Sequence, residues 1–358
     1  MRAVAVFPAT HEVRLVGHPE PSISSPRELK LRMLEVGVCG TDRDLCAFSY
    51  GTAPPGCDHF ILGHESLAEV VDTGGGVTAL RAGDLVVAIV RRPCDDPACA
   101  PCRAGRQDFC ATGRYRERGI QDMHGFMTEY VIEEERSVHL VPRDLRGVAV
   151  LIEPLTIAEK AFLEFRAIDA RLPWRKDRRT AVVLGAGPVG LLGAMLFRAA
   201  GFDTWVYSRS PAPNPKAAIA EAIGARYVSS LEVPPREFAG AAGNTDVVYE
   251  AMGAARTAFD VLQCLGANGV FIFTGVPSRG QPLSLDLHRL LLHLVMRNQV
   301  IVGTVNAGPD AFEAAIRDLA AFHTRWPHAL ASLITGRYPM SSFREAIHDA
   351  GIKNLIEV

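Results

Sequence analysis

The chain has 358 residues, 48% of them hydrophobic and 22% charged, with a formal net charge of −2. That length exceeds one ordinary hydrophobic core, so two domains are expected. The balanced charge, with no basic tail or stripe, excludes nucleic acid as a partner, and no apolar run is long enough to span a membrane.

The N-terminus, Met1-Arg2-Ala3-Val4-Ala5-Val6, has neither the apolar core nor the cleavage site of a signal peptide. A cytoplasmic protein is expected. In that compartment eight cysteines point to metal binding or packing and not to disulfides. Residues 3–6 and 12–16 read as short strands, and residues 28–36 alternate polar and apolar almost strictly, the mark of a half-buried strand. Residues 67–71 and 85–90 continue that pattern, with Pro54-Pro55-Gly56 and Thr73-Gly74-Gly75-Gly76 as loops. This half reads as an antiparallel, barrel-like β domain.

Two ligand-type groups lie within it. Cys39, in Val38-Cys39-Gly40-Thr41-Asp42, and His64-Glu65 are flanked by Gly37, Gly40 and Gly63. Zinc prefers thiolate and imidazole and adds a carboxylate, so Cys39, His64, Glu65 and the distant Glu153 form a candidate catalytic zinc set. Cys39 and His64 are the firm ligands, and the two carboxylates share or exchange the remaining positions; Glu65 can also be read as a partner that orients the ligands. Taken alone, a buried free cysteine and an unrelated loop histidine would explain the pair. Next come Cys94, Cys99, Cys102 and Cys110, spaced C-x4-C-x2-C-x7-C. Four thiols in one loop match a closed tetrahedral thiolate site, structural because it leaves no open position.

From Thr180 the pattern changes. Residues 180–184 are a short apolar, β-branched run followed at once by Gly185-Ala186-Gly187-Pro188-Val189-Gly190 and an apolar helix. Such a turn between strand and helix presents helix N-terminal amides to a pyrophosphate. The next strand, residues 204–207, ends in Ser208-Arg209-Ser210, where a site built for NAD carries an acidic residue. A hydroxyl followed by arginine suits a ribose phosphate, so NADP is the expected cofactor, with NAD also accepted. Strands at 246–250, 269–273 and 300–303 then alternate with helices at 254–265, 285–295 and 310–322, giving a doubly wound parallel sheet. The tail, residues 352–356, is expected to return to the β domain as a strand.

Together these segments resemble the zinc-dependent medium-chain dehydrogenases across the whole chain, and within them the archaeal-type glucose (aldose) dehydrogenases. The runs that carry the narrower likeness include Gly105-Arg106-Gln107-Asp108-Phe109-Cys110, His124-Gly125-Phe126-Met127, Ile152-Glu153-Pro154-Leu155 and Val302-Gly303-Thr304-Val305-Asn306. The resemblance implies an α/β protein, with a β-rich GroES-like catalytic domain at 1–155, a Rossmann domain at 156–306, and a segment at 307–358 returning to the catalytic domain. It implies catalytic roles for Cys39, Thr41, His64, Glu65 and Glu153, with Thr41 holding the reacting hydroxyl. Sugar hydroxyls would meet Thr41, Glu117, Glu153 and Asn306. The cofactor would contact Gly185, Ala186, Gly187, Pro188, Val189, Gly190, Ser208, Arg209, Ser210, Thr274, Gly275, Val276, Thr304, Val305, Asn306 and Lys353.

The implied activity is oxidation of an aldose, above all glucose, at its anomeric carbon to the lactone, with two zinc ions per chain and a dimer or tetramer as the assembly. A polyol, an aminocyclitol or a simple alcohol is the alternative substrate, and a non-catalytic nucleotide-binding relative is the alternative from another class. The chain departs from the family at Cys94-x4-Cys99, where the usual spacing is tighter. It also departs at Val90, Ile157 and Met296, where Asn, Asp and His occur in some members.

Overall fold

The computed structural model describes residues 1–174, 176–277 and 282–358. The chain divides into two units, one formed by Met1–Thr156, Asn306–His323 and Ala331–Val358, the other by Ile157–Val305 and Thr324–Leu330.

The first unit begins with β1 (Arg2–Phe7), β2 (Glu12–Gly17) and β3 (Glu28–Val38), then the short helix α1 (Gly40–Cys46), β4 (Phe60–Ile61), β5 (Glu65–Thr73) and β6 (Leu85–Ala88). It continues through β7 (Arg91–Arg92), α2 (Ala100–Arg103), β8 (Arg116–Arg118), β9 (Asp122–Met123), β10 (Tyr130–Glu134) and β11 (Val138–Leu140) to α3 (Ile152–Asp169), which crosses into the second unit. The alternation of β3 is read out as burial, with Leu29, Leu31 and Met33 inside and Arg32 outside. One sheet runs β11-β6-β5-β3, and β10 also pairs with β3; separate three-stranded sheets run β2-β1-β4 and β7-β8-β9.

The second unit continues with β12 (Thr180–Leu184), α4 (Pro188–Ala199), β13 (Asp203–Ser208), α5 (Pro215–Ala222), β14 (Arg226–Ser229) and α6 (Pro235–Ala241). β15 (Thr245–Glu250), α7 (Ala255–Val261), β16 (Leu265–Phe273), α8 (Leu287–Met296) and β17 (Val300–Gly303) complete it. Its strands form a parallel sheet in the order β14-β13-β12-β15-β16-β17, with Val182, Leu184, Val248 and Phe271 in its core. After α9 (Pro309–Arg325) and α10 (Pro327–Ala331), the chain adds β18 (Ile334–Pro339), α11 (Phe343–His348) and β19 (Lys353–Glu357). β19 pairs antiparallel with β3 and parallel with β18, so the tail extends the sheet of the first unit.

The run expected as one helix over residues 254–265 is corrected: α7 ends at Val261, and a 3-10 turn covers Leu262–Cys264. β16 has already begun at Leu265, where Gly266 lies so close to Asn244 that an added Cβ would stand 2.7 Å from its backbone.

His18, His59 and His124 gather beside β1, β2 and β4, with ring centroids 5.1 to 6.0 Å apart. Burial, then the facing His18 and His59 and the nearby Arg118, push the His124 pKa from its ordinary 6.5 down to about 4. The unfolded chain therefore takes up a proton near pH 6.5 that the folded chain refuses until about pH 4. The stability from this group is complete above the upper value and is lost as the pH falls through the window. Replacing His124 with Gln should flatten the acid limb of the unfolding free energy in that window, measured by urea denaturation at a series of pH values.

Candidate active site

β3 delivers Cys39 as the residue capping α1. Its thiol accepts from the Thr41 backbone N–H at 3.2 Å, while its own N–H donates to Asp42 Oδ2 at 2.9 Å. Cys39 Sγ lies 3.3 Å from His64 Nε2. The other imidazole nitrogen, Nδ1, faces the fully buried Asp42 carboxylate at 3.6 Å. A carboxylate behind an imidazole orients the free nitrogen toward a metal. Burial acts to lower the His64 pKa, but the Cys39 thiolate and the Asp42 carboxylate outweigh it and hold the imidazole well above its ordinary value.

Glu65 begins β5. One donor atom each from Cys39, His64 and Glu65 lie within 4.8 Å of one another, a thiolate, imidazole and carboxylate set of the kind zinc takes. Glu153, in the first turn of α3, stands outside that group of three yet within electrostatic reach of His64 and Glu65. Burial, reinforced by Glu65, raises its pKa to about 7, against the opposing pull of His64 and Lys353.

Lys353, at the start of β19, is buried, its side chain 1% exposed. Its ammonium donates to Glu65 Oε1 at 2.7 Å, to Glu65 Oε2 at 2.5 Å and to the Val38 carbonyl at 3.0 Å. An ammonium has three N–H donors, and all three are engaged here.

The four cysteines of the loop lie together, with Cys94 Sγ 3.7 Å from Cys102 Sγ and Cys99 Sγ 4.0 Å from Cys110 Sγ. Zinc–sulfur bonds of about 2.3 Å at tetrahedral angles give an S···S edge of about 3.8 Å, so this cage also fits zinc. Glu117 and Asn306 meet directly, Asn306 Nδ2 donating to Glu117 Oε1 at 2.9 Å from a left-handed backbone with φ of 60°.

In the second unit the glycine turn joins β12 to α4. Gly187 caps α4 without any side-chain hydrogen bond, leaving the N-terminal amides open to an anion. A Cβ at Gly190 would sit 2.1 Å from the Gly185 carbonyl, so the helix can approach the strand this closely only through glycine. Ala186, Pro188 and Val189 complete the turn. Arg209 follows the last residue of β13; it is exposed, and among the described residues its guanidinium has no partner. Ser210 is exposed beside it, and Ser208 is half-buried.

Glu250 ties the turns after β15 and β16 together, accepting from Met252 N at 2.8 Å, Gly253 N at 2.7 Å and Gly275 N at 3.1 Å. Thr274 Oγ1 donates to the Glu250 carbonyl at 2.7 Å. Val276 and Val305 are exposed, and among the described residues the buried Thr304 hydroxyl has no hydrogen-bond partner.

Two contributors escaped the sequence reading. Asp42 carried a signal, since it stands three residues after Cys39 in the position that closes a capping box. Tyr50 carried none. Its phenol lies near the Thr41 side chain, and burial pushes its pKa up to about 12.

A thiolate, imidazole and carboxylate cluster in one, β-rich unit and a dinucleotide-type glycine turn in the parallel sheet of the other together define a dehydrogenase of the alcohol dehydrogenase class. Residues 25–143 match the alcohol dehydrogenase GroES-like domain, and residues 146–358 match the glucose dehydrogenase C-terminus. The chain belongs to the glucose dehydrogenase family. It is 38% identical over 363 residues to the glucose 1-dehydrogenase of Methanocella arvoryzae, covering 100% of this chain and 99% of that one. It is 39% identical over 364 residues to the glucose 1-dehydrogenase of Thermoproteus tenax, with the same coverage. Among solved structures, the Haloferax mediterranei glucose dehydrogenase in complex with NADP, Zn and gluconolactone superposes with a TM-score of 0.91 at 34% identity, covering 100% of this chain and 99% of that one.

Removing one partner of a buried ion pair strands the other charge at a cost of about 3–5 kcal/mol. Lys353→Met should destabilise the protein by about that amount, read from denaturant unfolding, whereas Lys353→Arg should recover much of it.

Proposed function

We propose that the protein oxidises an aldose, D-glucose first among them, at its anomeric carbon to the lactone, reducing NADP in preference to NAD. The observation that carries this reading is the cluster of Cys39, His64 and Glu65, with Glu153 in reach, in a chain whose other unit holds the glycine turn and an unpaired Arg209. When bound, zinc supplies Lewis acidity at the anomeric oxygen, and the dinucleotide supplies the hydride acceptor.

The side chains do the rest. Cys39 and His64 hold the metal, and Asp42 fixes the imidazole. Glu153, with a pKa lifted to about 7, can exchange a proton or a ligand position near neutral pH. Thr41, with Tyr50 near it, receives the hydroxyl proton and passes it outward. Glu117 and Asn306 take sugar hydroxyls. The amides at the start of α4 take the pyrophosphate, and Arg209 with Ser208 and Ser210 takes the ribose phosphate. The thiolate cage of Cys94, Cys99, Cys102 and Cys110 holds a second, structural zinc.

The same reading extends to assembly and compartment. Helix α8 buries none of its residues and leaves Leu287, Leu291, Leu292, Val295 and Met296 exposed, an apolar face that suits a homo-oligomer. The eight cysteines are all free, as a reducing cytoplasm would keep them. Among the described residues no helix is long and apolar enough to cross a membrane.

Purified protein given zinc, NADP and a panel of aldoses should reduce the cofactor with glucose, and complete inertness across the panel would remove the sugar from the proposal. Cys39→Ser should abolish turnover while NADP binding, followed by fluorescence, is retained. Arg209→Ala should raise the KM for NADP about 10- to 100-fold, the worth of a charge-assisted hydrogen bond, and leave the KM for NAD nearly unchanged.

A further inference from the structure

β7 and β8 pair so that Arg91 stands opposite Glu117. Arg91 is 4% exposed and reaches Glu117 Oε1 with Nε at 3.0 Å and Nη2 at 2.9 Å. Asn306 Nδ2 donates to the same oxygen at 2.9 Å. Two hydrogen bonds, from Arg91 Nε and Asn306 Nδ2, thus take both lone pairs of that oxygen, with Arg91 Nη2 against it as an ion pair, which saturates it. Among the described residues no donor engages Glu117 Oε2.

The guanidinium is itself immobilised. It lies 3.6 Å from the centroid of the Tyr115 ring, and its Nη1 donates to the Asp108 carbonyl at 3.4 Å. The Asp108 carboxylate is held in turn by Arg106, at 3.1 and 3.0 Å. Arg106 also pairs with Asp310 at 3.3 Å, at the start of α9 and four residues beyond Asn306. One chain of polar contacts therefore sets both the carboxylate and the amide that faces it.

We propose that Arg91 is a positioning residue for sugar recognition: by saturating Glu117 Oε1 it commits Oε2, in one fixed orientation, to a single hydroxyl donor of the aldose. The inference rests on the reading of the protein as an aldose dehydrogenase. The geometry asks for arginine in particular. A planar fork can place two N–H groups on one oxygen while stacking on an aromatic ring, and the single ammonium of lysine cannot do both. An oriented acceptor of this kind rejects analogues lacking the matching hydroxyl, because the acceptor is then left unpaired.

A double-mutant cycle separates this role from simple support of the fold. The set is wild type, Arg91→Met, Glu117→Gln, the double variant and Arg91→Lys, each assayed with glucose and the monodeoxyglucoses under saturating NADP. Arg91→Met should raise the aldose KM about 10- to 100-fold with kcat and the KM for NADP within about threefold. In the Glu117→Gln background it should add less than about threefold. Arg91→Lys should fall between wild type and Arg91→Met. The deoxy analogue whose penalty disappears in Glu117→Gln should be the same one whose penalty disappears in Arg91→Met.

Multiplying effects in the double variant would overturn the proposal. So would an aldose KM within twofold of wild type in Arg91→Met, or a KM for NADP that rises in parallel with it. If Arg91→Met fails to fold, Arg91→Lys carries the same cycle with the same criteria. A wild-type enzyme inert on every aldose sinks the functional reading before any variant is made, so the two failures are distinguishable.

Discussion

The buried pair between Glu65 and Lys353 is the constraint on which the first unit depends. Two charges taken out of water are tolerated only when their contacts are close and their remaining hydrogen bonds are met. Here one ammonium spans both carboxylate oxygens and the Val38 carbonyl. The pair needs room, and Gly37 supplies it: a Cβ there would lie 2.0 Å from Glu65 Oε2. Gly37 stands opposite Glu65 on β5 and opposite Leu355 on β19. Strand register is therefore tied to charge placement on both sides of β3. The same register sets Cys39, one residue past the end of β3, against His64, one residue before β5. The donor cluster is thus a consequence of how three strands share a glycine, and its carboxylate is already oriented by a lysine from the last strand.

This pairing explains what could and could not be read from the chain. The two clusters were legible because much of their spacing is local: Cys94 to Cys110 fall in one loop, and His64-Glu65 are adjacent. The glycine turn was legible because strand, turn and helix follow one another without a break. The pairing of Lys353 with Glu65 was not legible, because nothing near Lys353 in sequence names that partner, which lies 288 residues away. Arg91 carried no such signal either, since its carboxylate partner is 26 residues distant on another strand. β14 and β18 went unread for a different reason. They are short and polar, and the burial of β18 alternates between half-buried and exposed, too weakly to mark a strand.

The cysteine lobe acquires a second meaning from its neighbours. The 3-10 turn Gln107–Phe109 leads directly into Cys110, and the carbonyl and carboxylate of Asp108 within it receive Arg91 and Arg106. Whatever fixes the four sulfurs also fixes the turn that holds these two arginines. A thiolate cage remote from the reacting carbon thereby contributes to the orientation of Glu117 and Asn306. A rigid support behind a polar contact is what converts a hydrogen bond into discrimination between ligands.

This support matters more here than a longer list of polar contacts would require. Val90 is buried and apolar, so in the proposed reading it offers the sugar no hydrogen bond, and selectivity falls on Thr41, Glu117 and Asn306. Fewer contacts can still discriminate strongly if each is fixed before the ligand arrives, since binding then pays little ordering entropy and any mismatch leaves a desolvated acceptor without a partner. The two arginines that flank Asp108, one stacked on Tyr115 and the other tied to α9, provide that fixation. An apolar Val90 is thus compatible with a selective site, provided Glu117 is held as firmly as Arg91 and Asn306 hold it.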